Sequence, residues 1–311
     1  MEKHEAYAWH HRALQQVRAE EAVRRATTNE SPFELLPVEI NVSIAVEEDR
    51  DGESRVAVRL QSDDAATRQM VEVMRANGAI PEDAVVEYIG PMRGLGPRDL
   101  VMPVQPGVCC AHRSGPRGTI GSVIRKNGER RFLLSANHVI AQEDRVDLGT
   151  PIVQPVTGAD DVRRIGVLAD KEPLVATGNL MDAAIARFTV DDFIAPQFNG
   201  KSITAIRTAE LKTGDRVFKF GQTTFETSAT VLSPMISNIK LDMRFGSYRF
   251  DEQIEIQSAA GSPFADGGDS GALVYDEQQR AVGIVIGGDG LTRTYVTPIQ
   301  RILTRFTAEL A

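Results

Sequence analysis

The chain has 311 residues, of which 42% are hydrophobic, 25% charged and 6% aromatic. This composition is typical of globular proteins and excludes collagen-like, low-complexity and wholly disordered chains. Acidic residues outnumber basic residues by 43 to 35, and the resulting net charge of -8 disfavours nucleic acids and anionic membranes as partners. No apolar run approaches the length of about 20 residues that crosses a bilayer.

The first predicted element is a helix over residues 3–25, which lack Gly and Pro and are rich in helix-forming residues. Its apolar stripe is narrow and consists of Tyr7, Leu14 and Val17 with a few neighbouring alanines. Charged residues throughout the same stretch interrupt any secretory signal pattern. The polar segment that follows ends in Pro and predicts a linker, so that residues 1–31 form a helix-and-linker unit.

Residues 32–97 predict a small α/β region. Two runs with alternating apolar residues are joined through Asp51-Gly52, which is typical of a β-hairpin. The helix after them carries Met70 and Met74 on one face. The predicted elements are strands at 40–46 and 56–60, a helix capped by Asp63 and closed by Gly78, and a strand at 85–89.

From about residue 105 the chain consists of short β-like runs separated by Gly, Pro, Asn and Asp. Regular short strands predict a β-barrel or a β-sandwich. A break near 191–200 divides them into a first unit at 105–190 and a second at 200–311, which closes with a helix at about 298–309. The predicted strands are Thr119–Ile124, Phe132–Ser135, Ile152–Gln154, Ile165–Leu168, Ala183–Phe188, Arg216–Phe220, Ala229–Leu232, Ile254–Gln257, Leu273–Tyr275, Val282–Ile286 and Thr294–Thr297.

Three short segments carry residues suited to catalysis. An apolar run delivers His138 just past a strand, Asp182 lies at the head of another apolar strand, and Ser270 lies in the glycine-rich turn Gly267–Gly271. Taken singly, each has an ordinary explanation, as a packing histidine, a capping aspartate or a plain turn.

Together the three residues have a chemical meaning. A serine hydroxyl is a poor nucleophile unless a histidine accepts its proton, and that imidazole needs a carboxylate to fix its tautomer. Glycines beside the serine allow backbone N–H groups to converge on a developing oxyanion. All these parts occur here in the order His, Asp, Ser, at intervals of 44 and 88 residues.

These segments resemble those of the chymotrypsin/trypsin-like serine peptidases over about residues 105–305. The resemblance implies a mostly β fold, a double antiparallel β-barrel, here preceded by the small α/β region and the N-terminal helix. It implies a serine endopeptidase that hydrolyses peptide bonds through an acyl-enzyme and needs no cofactor or metal. The spacing places His138 and Asp182 in the first barrel and Ser270 in the second.

The family's roles carry over to matching positions. Ser270 corresponds to the nucleophile, His138 to the general base and then acid, and Asp182 to the orienting carboxylate. The backbone N–H groups of Gly268 and Ser270 correspond to the oxyanion hole. Three consecutive residues, Ile286, Gly287 and Gly288, occupy the place of the strand that binds the substrate backbone.

The resemblance also indicates a specificity position. The residue six places before the nucleophile lies at the base of the primary pocket in this family, and here it is Phe264. An aromatic base cannot pair with Lys or Arg, so small or medium apolar P1 side chains are expected. The alternative is Asp266, which could face the pocket if the loop from Gly261 to Gly267 is irregular and would favour basic P1 residues.

The cysteine pattern and a possible cleavage site depart from many members of that family. Cys109 and Cys110 are the only cysteines, and adjacent cysteines seldom form a disulfide because its geometry strains the backbone. We therefore expect a reduced, cytoplasmic protein in which both pack in the interior. Arg117-Gly118-Thr119-Ile120 is better explained as the first barrel strand than as a zymogen cleavage site.

Two other interpretations concern metal binding and catalytic silence. His4, His10 and His11 form a cluster on a polar helix, and we expect them to be exposed and to bind no metal. The alternative to an enzyme is a catalytically silent or latent scaffold that kept the barrels and binds other proteins.

The segment 1–95 is not needed by two catalytic barrels. Either its strands and its Met70/Met74 helix pack on the first barrel as a stabilising appendage, or its N-terminal helix recruits a protein partner or restrains the active site. A short helix with a narrow stripe requires a surface, which its own barrels, a second copy or another protein could supply.

Overall fold

The computed structural model of the chain describes residues 1–28, 41–48, 52–89, 104–154, 163–190, 197–198 and 201–311. These ranges are mostly β, as the resemblance implied, and the helices are short except for the first. The helices are α1 (Lys3–Thr28), α2 (Ala65–Ala76), α3 (Asn137–Ile140) and α4 (Ile299–Phe306). Among the described residues no helix is long and apolar enough to cross a membrane.

The N-terminal part of the chain is a small α/β unit, as predicted. Its strands are β1 (Val42–Glu48), β2 (Ser54–Leu60) and β3 (Val85–Tyr88). Strands β1 and β2 pair as an antiparallel hairpin, while β2 and β3 are parallel and connected through α2. The first residue of the predicted turn, Asp51, and the predicted linker beyond residue 28 lie outside the described residues.

The N-terminal cap of α2 is one residue later than predicted. Asp64, not Asp63, accepts the Thr67 N–H at 2.7 Å. Asp64 has the extended backbone that aims a capping side chain at the first turn. Asp63 lies outside the helix and pairs instead with Arg68.

The first barrel closes through six strand positions. The sheet order runs from β6 through β7, β10, β9, β8 and β4 to β5, and β5 continues almost directly into β6. At that junction the Ile120 N–H bonds back to Val108 and the Gly121 N–H bonds forward to Leu134, which completes the ring. The strands are β4 (Cys109–His112), β5 (Gly118–Thr119), β6 (Ser122–Lys126), β7 (Glu129–Ser135), β8 (Pro151–Gln154), β9 (Arg163–Lys171) and β10 (Ala184–Phe188).

The second barrel is also a closed ring of six strands. Its order is β14, β19, β20, β21, β18 and β15, and β15 pairs again with β14. A separate hairpin, β16–β17, lies between β15 and β18. The strands of this half are β11 (Gln197–Phe198), β12 (Lys201–Ser202), β13 (Ala205–Ile206), β14 (Arg216–Gly221), β15 (Phe225–Ser237), β16 (Ile239–Asp242), β17 (Ser247–Phe250), β18 (Gln253–Gln257), β19 (Leu273–Asp276), β20 (Arg280–Gly288) and β21 (Arg293–Pro298).

The chain ends by returning to the first barrel. After α4, the strand β22 (Ala308–Leu310) pairs with β6. The buried residues of α4 pack into a cluster that contains Leu134 from the first barrel and Ile284 from the second. This apolar layer therefore holds the two barrels against each other.

The expectation that the α/β unit packs on the first barrel is wrong, because β1 joins the sheet of the second barrel. Strand β15 has 13 residues and is long enough to pair with two neighbours along one edge. Its first half pairs with β14, and its end pairs with β1, where Val46 faces Met235 and Ile44 faces Ser237.

The apolar stripe of α1 is covered by the α/β unit of the same chain. Ala13 and Val17 are fully buried in one cluster with Val42 and Val56 of the β1–β2 hairpin. The surface that this helix requires is therefore supplied by the same chain, and it belongs to the α/β unit, not to either barrel. A partner protein for α1 stays a prediction.

One of the N-terminal histidines is not exposed as expected. His10 lies on the inward face of α1 and is completely buried, whereas His4 and His11 are exposed. Burial, with His11 and Arg18 nearby, lowers the pKa of His10 from 6.5 to about 4. The ring is therefore neutral in the folded protein near neutral pH.

Candidate active site

The pairing of β7 with β10 brings His138 and Asp182 together. Ser135 at the end of β7 faces Ala184 at the start of β10, so the residues beyond β7 and before β10 share one end of the barrel. His138 follows on the short helix α3, and its Nδ1 is hydrogen-bonded to Oδ2 of Asp182. The backbone N–H of His138 donates to Oδ1 of the same carboxylate at 3.1 Å.

Burial and charge act in opposite directions on this imidazole. Asp182 is completely buried, and His138 is 6% exposed. Burial alone would favour the neutral ring, but the charge and hydrogen bond of Asp182, with a smaller contribution from Glu143, raise the pKa of His138 above 6.5. The carboxylate thus fixes the ring and stabilises its protonated form.

The turn that carries Ser270 is held by a strand of the other barrel. Thr119 on β5 donates its N–H to the Ser270 carbonyl at 2.8 Å, and its hydroxyl donates to the Gly268 carbonyl at 2.7 Å. The expectation that Arg117–Ile120 belongs to a strand is confirmed for Gly118 and Thr119, which form β5, but this is not the first barrel strand, because β4 precedes it. One residue of the first barrel therefore positions two peptide units of the serine turn.

A glycine allows the serine turn to approach the histidine. A Cβ atom at Gly118 would lie 2.6 Å from the Ser270 carbonyl oxygen and 2.4 Å from Cγ2 of Val139, the residue after His138. Real Cβ atoms do not tolerate such distances, so the close approach requires glycine. Ser270, which is 4% exposed, therefore lies beside the helix that carries His138.

Hydrogen bonds also fix the peptide orientations around Ser270. The Gly267 carbonyl accepts from the Thr223 hydroxyl, and the Asp269 carbonyl accepts from the Ala272 N–H at 2.8 Å. In a planar trans peptide the N–H points away from the carbonyl. The N–H groups of the next residues, Gly268 and Ser270, therefore point away from these partners. Gly268 has a φ of 105°, a backbone conformation that favours glycine.

A buried ion pair supports this turn from inside the second barrel. Nζ of Lys219 on β14 lies 3.1 Å from Oδ2 of Asp269, and both side chains are fully buried. Burial lowers the pKa of Lys219, and Asp269 opposes that change. The Asp269 carboxylate also accepts the Thr223 N–H at 2.9 Å and the Asp266 N–H at 3.0 Å.

The residues expected to bind substrate are buried. Ile286 packs in a cluster between the second barrel and the α/β unit, and a Cβ at Gly287 would lie 3.2 Å from Cδ2 of Leu241. Gly288 ends β20 beside them. Phe264 is fully buried in the core of the second barrel, where its carbonyl accepts from the Thr227 hydroxyl at 2.6 Å.

The two cysteines pack in the interior, and Asp266, the alternative pocket residue, is bonded within its own turn. Cys109 and Cys110 are both buried and form no disulfide with each other, as expected for packing residues. Burial raises the pKa of the Cys110 thiol to about 12, which keeps it protonated. Asp266 is half-buried, and its carboxylate accepts the N–H of Gly267 at 2.8 Å within its own turn.

The sequence alone did not indicate that the serine turn would be contacted by Thr119, Lys219 and Thr223. Their contacts with the serine turn join positions far apart in the chain, and a single sequence does not reveal such contacts. A partial signal existed for Lys219. It occupies a position on β14 where the alternation with Val217 predicts an inward-facing apolar residue, and an inward lysine requires a buried carboxylate.

A family model described as a trypsin-like peptidase domain matches residues 118–284, which is more than half of the chain. A search among curated proteins found no match.

Several solved protease structures are similar to the chain. Thermobifida fusca protease A is 21% identical, with 67% of this chain and 98% of that chain covered and a TM-score of 0.47. A glutamic-acid-specific serine protease, described as using a novel histidine triad in substrate binding, is 20% identical, with 67% and 100% covered and a TM-score of 0.49. Cellulomonas bogoriensis chymotrypsin is 20% identical, with 67% and 98% covered and a TM-score of 0.47. On the match of the family model, the chain belongs to the family of proteins with a trypsin-like peptidase domain.

Proposed function

We propose that this protein is a serine endopeptidase that hydrolyses peptide bonds through an acyl-enzyme intermediate. Ser270 is the nucleophile, His138 the general base and then the general acid, and Asp182 the carboxylate that orients the imidazole. The observation that carries the proposal is the buried His138–Asp182 hydrogen bond at the end of the first barrel, with the serine turn held against the same place.

Proton movements follow from that hydrogen bond. With Asp182 accepting the proton on Nδ1, the lone pair of His138 lies on Nε2 and can take the Ser270 proton as Oγ attacks the substrate carbonyl. The imidazolium then gives this proton to the leaving amine, and the peptide C–N bond breaks. Water repeats the sequence on the ester, which releases the acid and regenerates Ser270.

Charge on the tetrahedral intermediate needs donors that are already oriented. The N–H groups of Gly268 and Ser270 are suited to this role because the carbonyls on their peptides are bonded elsewhere. Donors fixed in advance require no reorganisation as the oxyanion forms, and removing one donor in such sites costs about 10²–10³ in rate. Strand β20 pairs with β19 only as far as Ile284, so that its end at Ile286–Gly288 would pair on that side with the backbone of an extended peptide substrate.

Turnover of a peptide substrate by triad variants tests the proposal. Ser270→Ala and His138→Ala should each lower kcat by about 10⁶-fold, and the double variant should be hardly slower than either, because the groups act as one unit. Thr150→Val, at a half-buried position outside the proposed triad and oxyanion hole, serves as the control. Additive losses in the double variant, or turnover that survives Ser270→Ala, would reject the assignment. A silent scaffold would show no turnover to lose.

For specificity we propose small or medium apolar P1 residues. Support comes from Phe264, whose position deep in an apolar core supplies no charge for a basic side chain. The alternative residue, Asp266, directs its carboxylate into its own turn. Profiling a peptide library tests this preference, and a dominant requirement for Arg or Lys would favour the Asp266 interpretation.

A further inference from the structure

The β16–β17 hairpin of the second barrel reaches across to the first barrel. Its tip turns at residues 243–246, where the Met243 N–H donates to the Gly246 carbonyl at 2.8 Å. The Phe245 N–H donates to both carboxylate oxygens of Glu143, at 3.1 Å each. The Arg244 guanidinium donates to the Ser114 carbonyl at 2.7 Å. The tip is therefore attached to two loops of the other barrel.

Stacking strengthens the same attachment. Two guanidinium groups lie over the Phe245 ring, that of Arg145 from the first barrel 4.5 Å and that of Arg244 from the hairpin 5.0 Å from its centroid. Cations over an aromatic face are attracted by the ring quadrupole. The ring itself is still 37% exposed, so water reaches these contacts and they can open without disturbing a core.

The loop that holds the tip follows the catalytic histidine directly. Glu143 is five residues after His138 and contributes to the raised pKa of that imidazole. Gln142, Glu143 and Asp144 have φ values of 49°, 54° and 67°. Three consecutive non-glycine residues in the left-handed region form a strained segment, which only surrounding contacts maintain.

The two strands of the hairpin lie beside the end of β20 that is proposed to bind the substrate backbone. On one side, Leu241 of β16 rests on Gly287 of β20. On the other side, Asn179, three residues before Asp182, donates its N–H to the Arg249 carbonyl at 3.1 Å. The hairpin thus fills the space between the β20 edge and the loop that leads to Asp182.

We propose that the β16–β17 hairpin is an autoinhibitory cover that must release its tip from Glu143 and Ser114 before a peptide can bind along β20. This inference rests on the proposed peptidase function and concerns the regulation of that site. An extended substrate would run along β20 beside Leu241, which stays packed in the core, and would pass His138 under the tip. The closed structure is therefore the latent state of the enzyme.

The base of the hairpin is anchored, so that opening is confined to its outer part. Gln61 of the α/β unit bonds both backbone groups of Lys240, accepting its N–H at 2.8 Å and donating to its carbonyl at 2.6 Å. Ser43 donates its hydroxyl to the Asn238 carbonyl at 3.0 Å. The N-terminal unit thereby holds the hairpin in place, which connects residues 1–89 to the state of the active site.

The test uses two covalent probes of Ser270 on the full chain. A small alkyl fluorophosphonate reports whether the serine is activated, and a peptidyl phosphonate must also enter the groove along β20. The variants are Arg244→Ala, which removes a tip contact, and Glu143→Asn, whose shorter side chain no longer reaches Phe245 and tolerates a positive φ. Arg216→Ala is the matched control because Arg216 also stacks on a phenylalanine, at 5.1 Å, away from the groove.

The peptidyl probe should react faster when the tip is weakened. We expect about a tenfold gain in both tip variants over the unaltered chain and Arg216→Ala, the shift that loss of one charge-assisted contact produces in a closed–open equilibrium. Rates are compared at a pH where His138 is neutral, so that loss of the Glu143 charge does not contribute.

Two results would overturn the proposal in different ways. If the small probe labels Ser270 but tip variants react with the peptidyl probe no faster than the control, the hairpin is a wall of the groove and no cover, and the peptidase function stands. If neither probe labels Ser270 in any of these chains, the peptidase function fails and the cover with it. Hydrogen exchange on the unaltered chain gives an independent result, because peptidyl modification should accelerate exchange of the Phe245 amide.

Discussion

At the scale of single residues, the hydrogen bond between His138 and Asp182 determines how the proposed reaction depends on pH. Only the neutral imidazole can accept the Ser270 proton, and the pKa of His138 is raised above 6.5 by Asp182 despite burial. Activity should therefore be low below that pKa and rise as the pH increases through it, with a midpoint above 6.5.

Replacing Asp182 by asparagine tests the cause of that midpoint. The substitution removes the charge that raises the pKa of His138 and leaves burial, so the acidic limb of kcat/KM should move to lower pH. The limiting rate should fall by about 10⁴-fold because the tautomer is no longer fixed. An unchanged midpoint in Asp182→Asn, or activity that falls as the pH rises through the neutral range, would contradict this account.

The proposed catalytic residues could be selected from the sequence because each lies in a short contiguous motif. His138, Asp182 and Ser270 were identified from the residues beside them and from their order. Thr119 and Lys219 were not identified, because their role arises only from contacts with the serine turn. Thr119 and its partner Gly268, for example, are 149 residues apart in the chain. Glu143 was missed for the same reason, because its partner Phe245 belongs to the other barrel.

At the scale of elements, the serine turn depends on the strand beside it. Lys219 on β14 and Asp269 in the turn form an ion pair without access to water. Breaking a buried pair from one side is far more costly than replacing both partners, because a charge is left uncompensated. Gly221 at the end of β14 belongs to the same arrangement, since a Cβ there would lie 2.3 Å from Oδ1 of Asp269.

Lys219→Met should destabilise the protein by about 3–5 kcal/mol and lower peptide turnover, because Asp269 loses its buried cation and the turn is displaced. Chemical denaturation measures the loss. The double variant Lys219→Met/Asp269→Asn should recover part of the stability, since the neutral amide oxygen can still accept the N–H groups of Thr223 and Asp266. A double variant as unstable as Lys219→Met alone would show that charge compensation is not the function of this pair.

Strands were predicted correctly where apolar and polar residues alternate regularly. The short β16–β17 hairpin and the last strand, β22, were missed. Most barrel strands lie within a few residues of their predicted positions. The β16–β17 hairpin was missed although Ile239 and Leu241 alternate with polar residues, because the run is short and interrupted by Asn238 and Arg244. The closing strand β22 has only three residues, which is too few for a periodic signal.

At the scale of the whole molecule, the N-terminal unit is an integral part of the second half. Besides the β1–β15 pairing, Arg59 of β2 is fully buried between Glu47 of its own unit and Glu255 of β18. Arg293 of β21 lies 3.6 Å from the same Glu255 carboxylate. No sequence pattern indicated which barrel would receive this unit, because the docking edge is created by the length of β15.

The buried His10 should make the stability of this arrangement depend on pH. The unfolded chain binds a proton on His10 near pH 6.5, whereas the folded chain binds it only near pH 4. Stability is therefore complete above 6.5 and decreases as the pH falls towards 4, by about 3 kcal/mol from this group. Because leucine does not titrate, His10→Leu should lose about 3 kcal/mol less stability than the unaltered chain as the pH falls from 6.5 to 4, as measured by denaturation at several pH values. Parallel pH profiles for the two chains would contradict the burial of a neutral His10.

Intact-mass spectrometry after incubation with a small alkyl fluorophosphonate shows whether Ser270 is an activated nucleophile. We expect one adduct per chain, mapped by peptide fragmentation to Ser270. The adduct should be absent in Ser270→Ala and formed far more slowly in His138→Ala, because the imidazole no longer accepts the hydroxyl proton. An adduct on another residue, or equal labelling of the unaltered chain and His138→Ala, would contradict it.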